Sequence, residues 1–170
     1  MYNTYEADAF VFKSLNYDKY QKVLLFTKQF GLMWVQVYST NQMKSKLRKL
    51  TQDFSFIKVF IIFGKKNKKI IGGELKSNLF FSAETHRQFI ILKKAEKFLE
   101  NNLILNESVE DIFFEFEKLY NDIFRINDIK TRELLFFKNI LSYLGYLNID
   151  DKIKTKKEMI LSINNILNKV

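Results

Sequence analysis

Polar and apolar positions along this chain change their period near residue 80. Before that point the pattern alternates. Glu6 to Ser14 sets Ala7, Ala9 and Val11 against Asp8, Phe10 and Phe12, which is the period of two that predicts a strand with two distinct faces. Lys22 to Thr27 is a second β-rich run, and Gly31 turns the chain into a third, Leu32 to Tyr38. Asn41 to Thr51 breaks the alternation and predicts a short helix. Two further strands, Gln52 to Phe63 and Ile70 to Lys76, flank the turn Gly64-Lys65-Lys66-Asn67-Lys68-Lys69.

After residue 80 the apolar positions recur at helical spacing. In a first helix, about Thr85 to Asn101, Ile91, Leu92, Ala95, Phe98 and Leu99 form a stripe, with Lys93, Lys94, Glu96 and Lys97 outside it. A second carries Val109, Ile112, Phe113, Phe116, Leu119, Tyr120, Ile123 and Phe124; Ser108 is its expected cap, with Asp111 three residues on. A third follows Thr131 as cap, turns Leu134, Phe137, Leu141 and Leu144 inward, and stops at Gly145. A fourth is predicted from about Lys156 to Lys169. These stripes are read as a helical core rather than as a cofactor box.

The fold class that follows is α+β: a five-stranded OB-fold barrel over residues 1–80, then a helical domain over 81–170. Five strands with a helical interruption between the third and fourth match an OB-type barrel in count and order, although other small barrels share the count. No flexible linker marks the junction, so the two parts are expected to pack together.

Charge sharpens this division. Residues 1–80 hold 14 Lys/Arg against 5 Asp/Glu, whereas residues 81–170 hold 14 of each. The excess is clustered in Lys44, Lys46, Arg48 and Lys49, and again in Lys65, Lys66, Lys68 and Lys69, with Tyr17, Tyr20, Trp34 and Tyr38 between or before them. Ammonium groups displace counterions from phosphates and aromatic rings stack on bases, so such interleaving suits single-stranded nucleic acid. A solvated, Lys-rich surface is the alternative, and the absence of Pro points to an AT-rich genome that inflates Lys generally. Codon bias does not explain why one half holds all the excess.

Little else in the sequence suggests chemistry. With no Cys, disulfides and thiolate metal sites are excluded, and His86 is the only imidazole. The five glycines, Gly31, Gly64, Gly72, Gly73 and Gly145, do not have the spacing of a phosphate loop. The carboxylate pairs Glu110/Asp111 and Glu115/Glu117 are placed on the solvated side of the second helix, and Asp150/Asp151 in a loop without further ligands. Neither a metal nor a cofactor is expected. Apolar runs such as Val59 to Phe63 are too short to span a bilayer, so a soluble, cytoplasmic protein without membrane partners is expected.

The segment Lys44-Ser45-Lys46-Leu47-Arg48, followed by Leu50, Gln52-Asp53-Phe54 and a strand, resembles the RecO family of bacterial recombinational repair proteins. Upstream, the likeness takes in Glu6-Ala7 leading a strand to Lys13-Ser14, the turn Tyr17-Asp18-Lys19-Tyr20, and Phe26-Thr27 with Phe30-Gly31. Downstream it takes in Leu144-Gly145-Tyr146 at a helix end. Many members carry a zinc-binding Cys cluster after that helix, whereas here Leu147 to Thr155 leads directly to the last helix, and the usual Gln-Pro-Phe reads Gln52-Asp53-Phe54. The chain is thus similar to a short, zinc-less form.

The resemblance implies a non-enzymatic mediator of DNA recombination and repair. Such a protein binds single- and double-stranded DNA, anneals complementary strands, engages the tail of single-stranded DNA-binding protein, and with a RecR-like partner assists recombinase loading. An OB-fold adaptor that docks repair proteins without binding DNA is the alternative. Expected phosphate contacts are Lys44, Lys46, Arg48, Lys49, Lys65, Lys66, Lys68 and Lys69. Trp34 and Tyr38 share strand parity and are expected as stacking platforms, with residence in the core as the alternative for each. Arg132 and Lys138, taken as outward basic positions on the third helix, are expected to meet an acidic protein tail.

Overall fold

The computed structural model describes residues 3–38, 46–65, 67–79, 86–123, 128–146 and 161. The expected fourth helix lies, apart from Leu161, outside the described residues, as does the junction at residues 80–85. Five strands come first: β1 (Thr4–Asn16), β2 (Tyr20–Thr27), β3 (Gly31–Tyr38), β4 (Ser55–Phe63) and β5 (Lys68–Asn78), with a 3₁₀ helix, Lys46–Thr51, between β3 and β4. Three helices follow: α1 (His86–Asn102), α2 (Glu110–Asp122) and α3 (Ile129–Tyr143).

The strands form one sheet in the order β1-β2-β3-β5-β4, and because β1 also pairs with β4 the sheet closes on itself. All contacts are antiparallel except β3 with β5, which meet at the single pair Gln36↔Lys69. That junction is the thinnest point of the ring.

The alternation of β1 has a physical reason, because its two faces enter two different cores. Ala7, Ala9 and Val11 point inward with Val23, Leu25, Met33, Val35, Ile57, Val59 and Ile61, filling the interior of the closed sheet. Small and branched residues suit that tight interior. Phe10 and Phe12 point outward, yet they too are buried, because with Leu24, Phe26 and Leu32 they share one core with Ile91, Leu92, Phe113, Phe116, Leu119, Phe136 and Phe137 of the helices. Aromatic residues dominate this outer layer: Phe10 lies 4.4 Å from Phe56, 5.0 Å from Phe116 and 4.9 Å from Tyr120, ring centre to ring centre. Burying each such ring contributes about 1.5–3 kcal/mol, so the helices and the outer face of the sheet hold one another.

Polar details fix the docking. The Tyr120 hydroxyl donates to the Phe54 carbonyl at 3.0 Å and lies 3.1 Å from Ser77 Oγ, tying α2 to the entrance of β4 and the end of β5. Phe54 itself has φ 63°, a left-handed conformation unusual for a large side chain. Its amide donates to Val11 and its carbonyl accepts from Leu79, so this strained corner is fixed by contacts on three sides.

The helix caps differ from the expectation. Ser108 does not cap α2: it donates to the Lys28 carbonyl at 3.3 Å, and Val109 stands at the cap position without a side-chain bond. Thr131 is likewise inside α3, whose cap is Asp128, with its carboxylate accepting from the Thr131 amide at 3.1 Å. Gly145 does end α3, at φ 77°. No helix among the described residues is long and apolar enough to cross a membrane.

Candidate nucleic-acid interface

Among the described residues, the helices cover only part of the sheet's outer face. On β3 the outward positions are Leu32, Trp34, Gln36 and Tyr38, opposite Phe26, Leu24, Lys22 and Tyr20 of β2. Leu32, Leu24 and Phe26 are buried beneath the helices, Trp34 is half-buried at the rim of that core, and Gln36, Lys22, Tyr20 and Tyr38 lie beyond it. Trp34 and Tyr38 therefore face the same side, as their parity requires, and a partly open polar and aromatic surface runs between them.

That surface continues into a groove of about 390 Å³ lined by Lys22, Trp34, Val35, Gln36, Gly64, Lys65, Asn67 and Lys68. Topology explains the groove. At one end Leu32 bridges to Leu105, and its carbonyl accepts from the Asn106 amide at 2.7 Å; at the other, Gln36 pairs with Lys69. Between these two closures β3 and the β4–β5 turn draw apart.

Rings and ammonium groups alternate here. Lys22 Nζ sits 4.8 Å from the centre of the Trp34 ring and Lys69 Nζ 5.1 Å from that of Tyr38. Tyr17 stacks on Tyr20 at 5.0 Å with an interplanar angle of 15°, and Tyr20 lies 5.8 Å from Tyr38. Lys68 donates to the Asn106 side chain and lies 5.4 Å from the Phe63 ring; burial pushes its pKa below the ordinary lysine value. Among the described residues, Lys22, Lys65, Lys68 and Lys69 have no carboxylate partner, whereas Lys13, Lys58, Lys76, Lys93, Lys94, Lys118 and Arg132 do. Lys19, Lys28, Arg48, Lys49, Arg87, Lys97, Lys130 and Lys138 also lack one, so what sets the four lysines apart is their place beside the open aromatics.

Of the expected phosphate contacts, Lys65, Lys68 and Lys69 are brought to this surface. Arg48 and Lys49 are exposed on the 3₁₀ helix but do not line the groove. Lys46 opens that helix, while Lys44 and Lys66 lie outside the described residues. Lys22, Gln36 and Asn67 were not singled out from the sequence. Lys22 shows its place only through the cross-strand register that sets it opposite Gln36, one step from Trp34.

On the helical side, Arg132 is not an outward position. Its side chain is 10% exposed; Nε lies 2.8 Å from Asp122 Oδ2, close though not aligned as a hydrogen bond, and Nη1 lies 3.9 Å from Glu115. Two carboxylates hold it in place, so it is not free for a tail. Lys138 is exposed as expected.

Glu115 and Glu96, both expected on solvated faces, are buried instead. Burial tends to raise Glu115, but hydrogen bonds from Lys118 and Asn139, with the charge of Arg132, outweigh it and hold the pKa below the usual value. Glu96 has Lys93 at 3.0 Å as its ion-pair partner, and burial pushes its pKa up to about 8. At Glu96 burial dominates, with the charges of Asp53 and Glu100 adding to it, whereas at Glu115 the partners outweigh burial.

No protein-family model matches this chain, and no curated protein sequence matches it.

Proposed function

We propose that this chain is a single-stranded-DNA-binding mediator of recombination and repair, a binding protein rather than an enzyme, whose closed five-stranded sheet is an OB-type barrel. The observation that carries this reading is the placement of four lysines without carboxylate partners, Lys22, Lys65, Lys68 and Lys69, around Trp34, Tyr20 and Tyr38 where the helices leave the sheet open. Phosphates meet the lysines and unpaired bases meet the rings. The strand order, with β3 meeting β5 in parallel and a short helix between β3 and β4, supports the OB assignment. Double-stranded DNA, a RecR-like protein and the tail of single-stranded DNA-binding protein are proposed as further partners on the resemblance in sequence.

A salt titration of oligonucleotide affinity tests the reading. Four lysine–phosphate contacts give a log–log slope of about −3 on single strands, at roughly 0.7 per phosphate. A flat response, or no DNA binding at all, points instead to the adaptor that docks repair proteins without touching DNA.

A further inference from the structure

The groove between β3 and the β4–β5 turn has features that a general basic surface lacks. It is concave, with a volume of about 390 Å³, near the lower end of the roughly 300–1,000 Å³ typical of small-ligand sites. One wall is the half-buried ring of Trp34, with Lys22 Nζ 4.8 Å from its centre, and Lys65 and Lys68 also line the groove. Gln36 and Asn67 complete the polar part of the lining. Because Leu32 directs its carbonyl away from β2, toward Asn106, the alternation of an antiparallel pair directs the main-chain N–H and C=O of Trp34 the same way, into the gap. The groove therefore combines a flat apolar wall, three lysines in its lining, and polar groups that both donate and accept.

We propose that this groove seats a single unpaired nucleotide, with its base on Trp34 and its phosphate on Lys22, Lys65 and Lys68. The proposal rests on the single-strand reading above and adds to it a defined subsite. In the free protein Lys22 covers the Trp34 ring. A base that stacks there takes the place of the ammonium group, which moves to the incoming phosphate, so one lysine serves the ring when the groove is empty and the ligand when it is full. Burial without a compensating carboxylate disfavours the charge of Lys68, and a phosphate in the groove supplies the missing countercharge. A paired base inside a duplex does not offer its face to Trp34, so the subsite selects single strands.

Trp34 is the only tryptophan in the chain, so its emission reports on this groove alone. The experiment uses the full chain and three probes: a short thymidine oligonucleotide, the same length of abasic backbone, and inorganic tripolyphosphate. The thymidine strand is expected to quench Trp34, and the abasic strand to bind about tenfold more weakly, as loss of one stacked base implies, without quenching. Tripolyphosphate is expected to leave the emission unquenched. Lys65→Ala with Lys68→Ala is expected to lower affinity about tenfold, and Lys22→Met, which keeps the side-chain stem, to reduce the salt slope by about 0.7.

Binding of the thymidine strand with Trp34 emission unchanged, or equal affinity for the abasic strand, overturns the subsite while leaving single-strand binding in place. An acidic peptide that quenches Trp34 and excludes the oligonucleotide overturns it in favour of a protein ligand. Failure of every strand to bind removes both the subsite and the reading beneath it.

Discussion

Replacing Phe116 with Ala removes the ring through which the helices hold the sheet. Phe116 is 1% exposed, and its ring centre lies 5.0 Å from Phe10, 5.1 Å from Phe12 and 5.9 Å from Phe26 on the strands, and 6.3 Å from Phe136 on α3. Truncating a buried Phe costs about 3–5 kcal/mol, the upper part of that range applying where the cavity does not collapse. Here the cavity is walled by two strands on one side and by α3 on the other, so closing it requires a whole helix to shift. The expected loss is therefore about 4 kcal/mol, which for a chain of this size lowers the melting temperature by about 10 °C.

Urea titration followed at once by far-ultraviolet circular dichroism and by Trp34 emission measures the effect. Both probes should move together, because sheet and helices share one core. A loss below about 1.5 kcal/mol would mean that Phe116 is not packed as described. Helices that melt while Trp34 is unchanged would mean that the two layers are independent folding units.

Glu96 gives a pH signature. Its carboxyl keeps a proton in the folded chain up to about pH 8, whereas in the unfolded chain it ionises near 4.5; the folded state therefore holds the extra proton, and stability falls as pH rises between those values. Glu96→Gln should flatten that slope in urea titrations across the range, and an unchanged slope would place the titration elsewhere. Gly31 has φ 60°, and a Cβ there would stand 1.8 Å from the Glu107 carbonyl oxygen, so Gly31→Ala should cost about 2 kcal/mol or more by denaturant titration. Arg132→Ala should cost about 2 kcal/mol, since it leaves Asp122 and the buried Glu115 without their shared partner, whereas the exposed Lys138→Ala should change stability by less than about 0.5 kcal/mol. Equal effects of the two would contradict the burial of Arg132.

The strands were legible because inward positions must be apolar in any closed sheet, and Ala7, Ala9 and Val11 kept strict parity. Phe10 and Phe12 were legible as a second face, but what covered them was not, since that depends on contacts with α2 more than a hundred residues away in sequence. Capping misled for a related reason. Ser108 has the residue type of a cap, yet its hydroxyl finds the Lys28 carbonyl across the fold, and Asp128 rather than Thr131 starts α3.

Buried Glu96 and Glu115 look like ordinary surface glutamates in a helical stripe, and only the position of the neighbouring strand or helix reveals their burial. The lysine turn after β4 was readable from composition alone. Its convergence with Lys22 and Trp34 required the register of β2 on β3 and the gap left where β3 meets β5 at one pair.

Single-stranded DNA is proposed to lie across the part of β2 and β3 that the described helices leave open. Ultraviolet crosslinking of an iodouracil-substituted oligonucleotide to the full chain, followed by peptide mapping, tests it directly. Crosslinks are expected at Tyr20, Trp34 or Tyr38 and should fade as salt is raised. Crosslinks confined to α2 and α3, or to the 3₁₀ helix bearing Arg48 and Lys49 alone, would contradict the account.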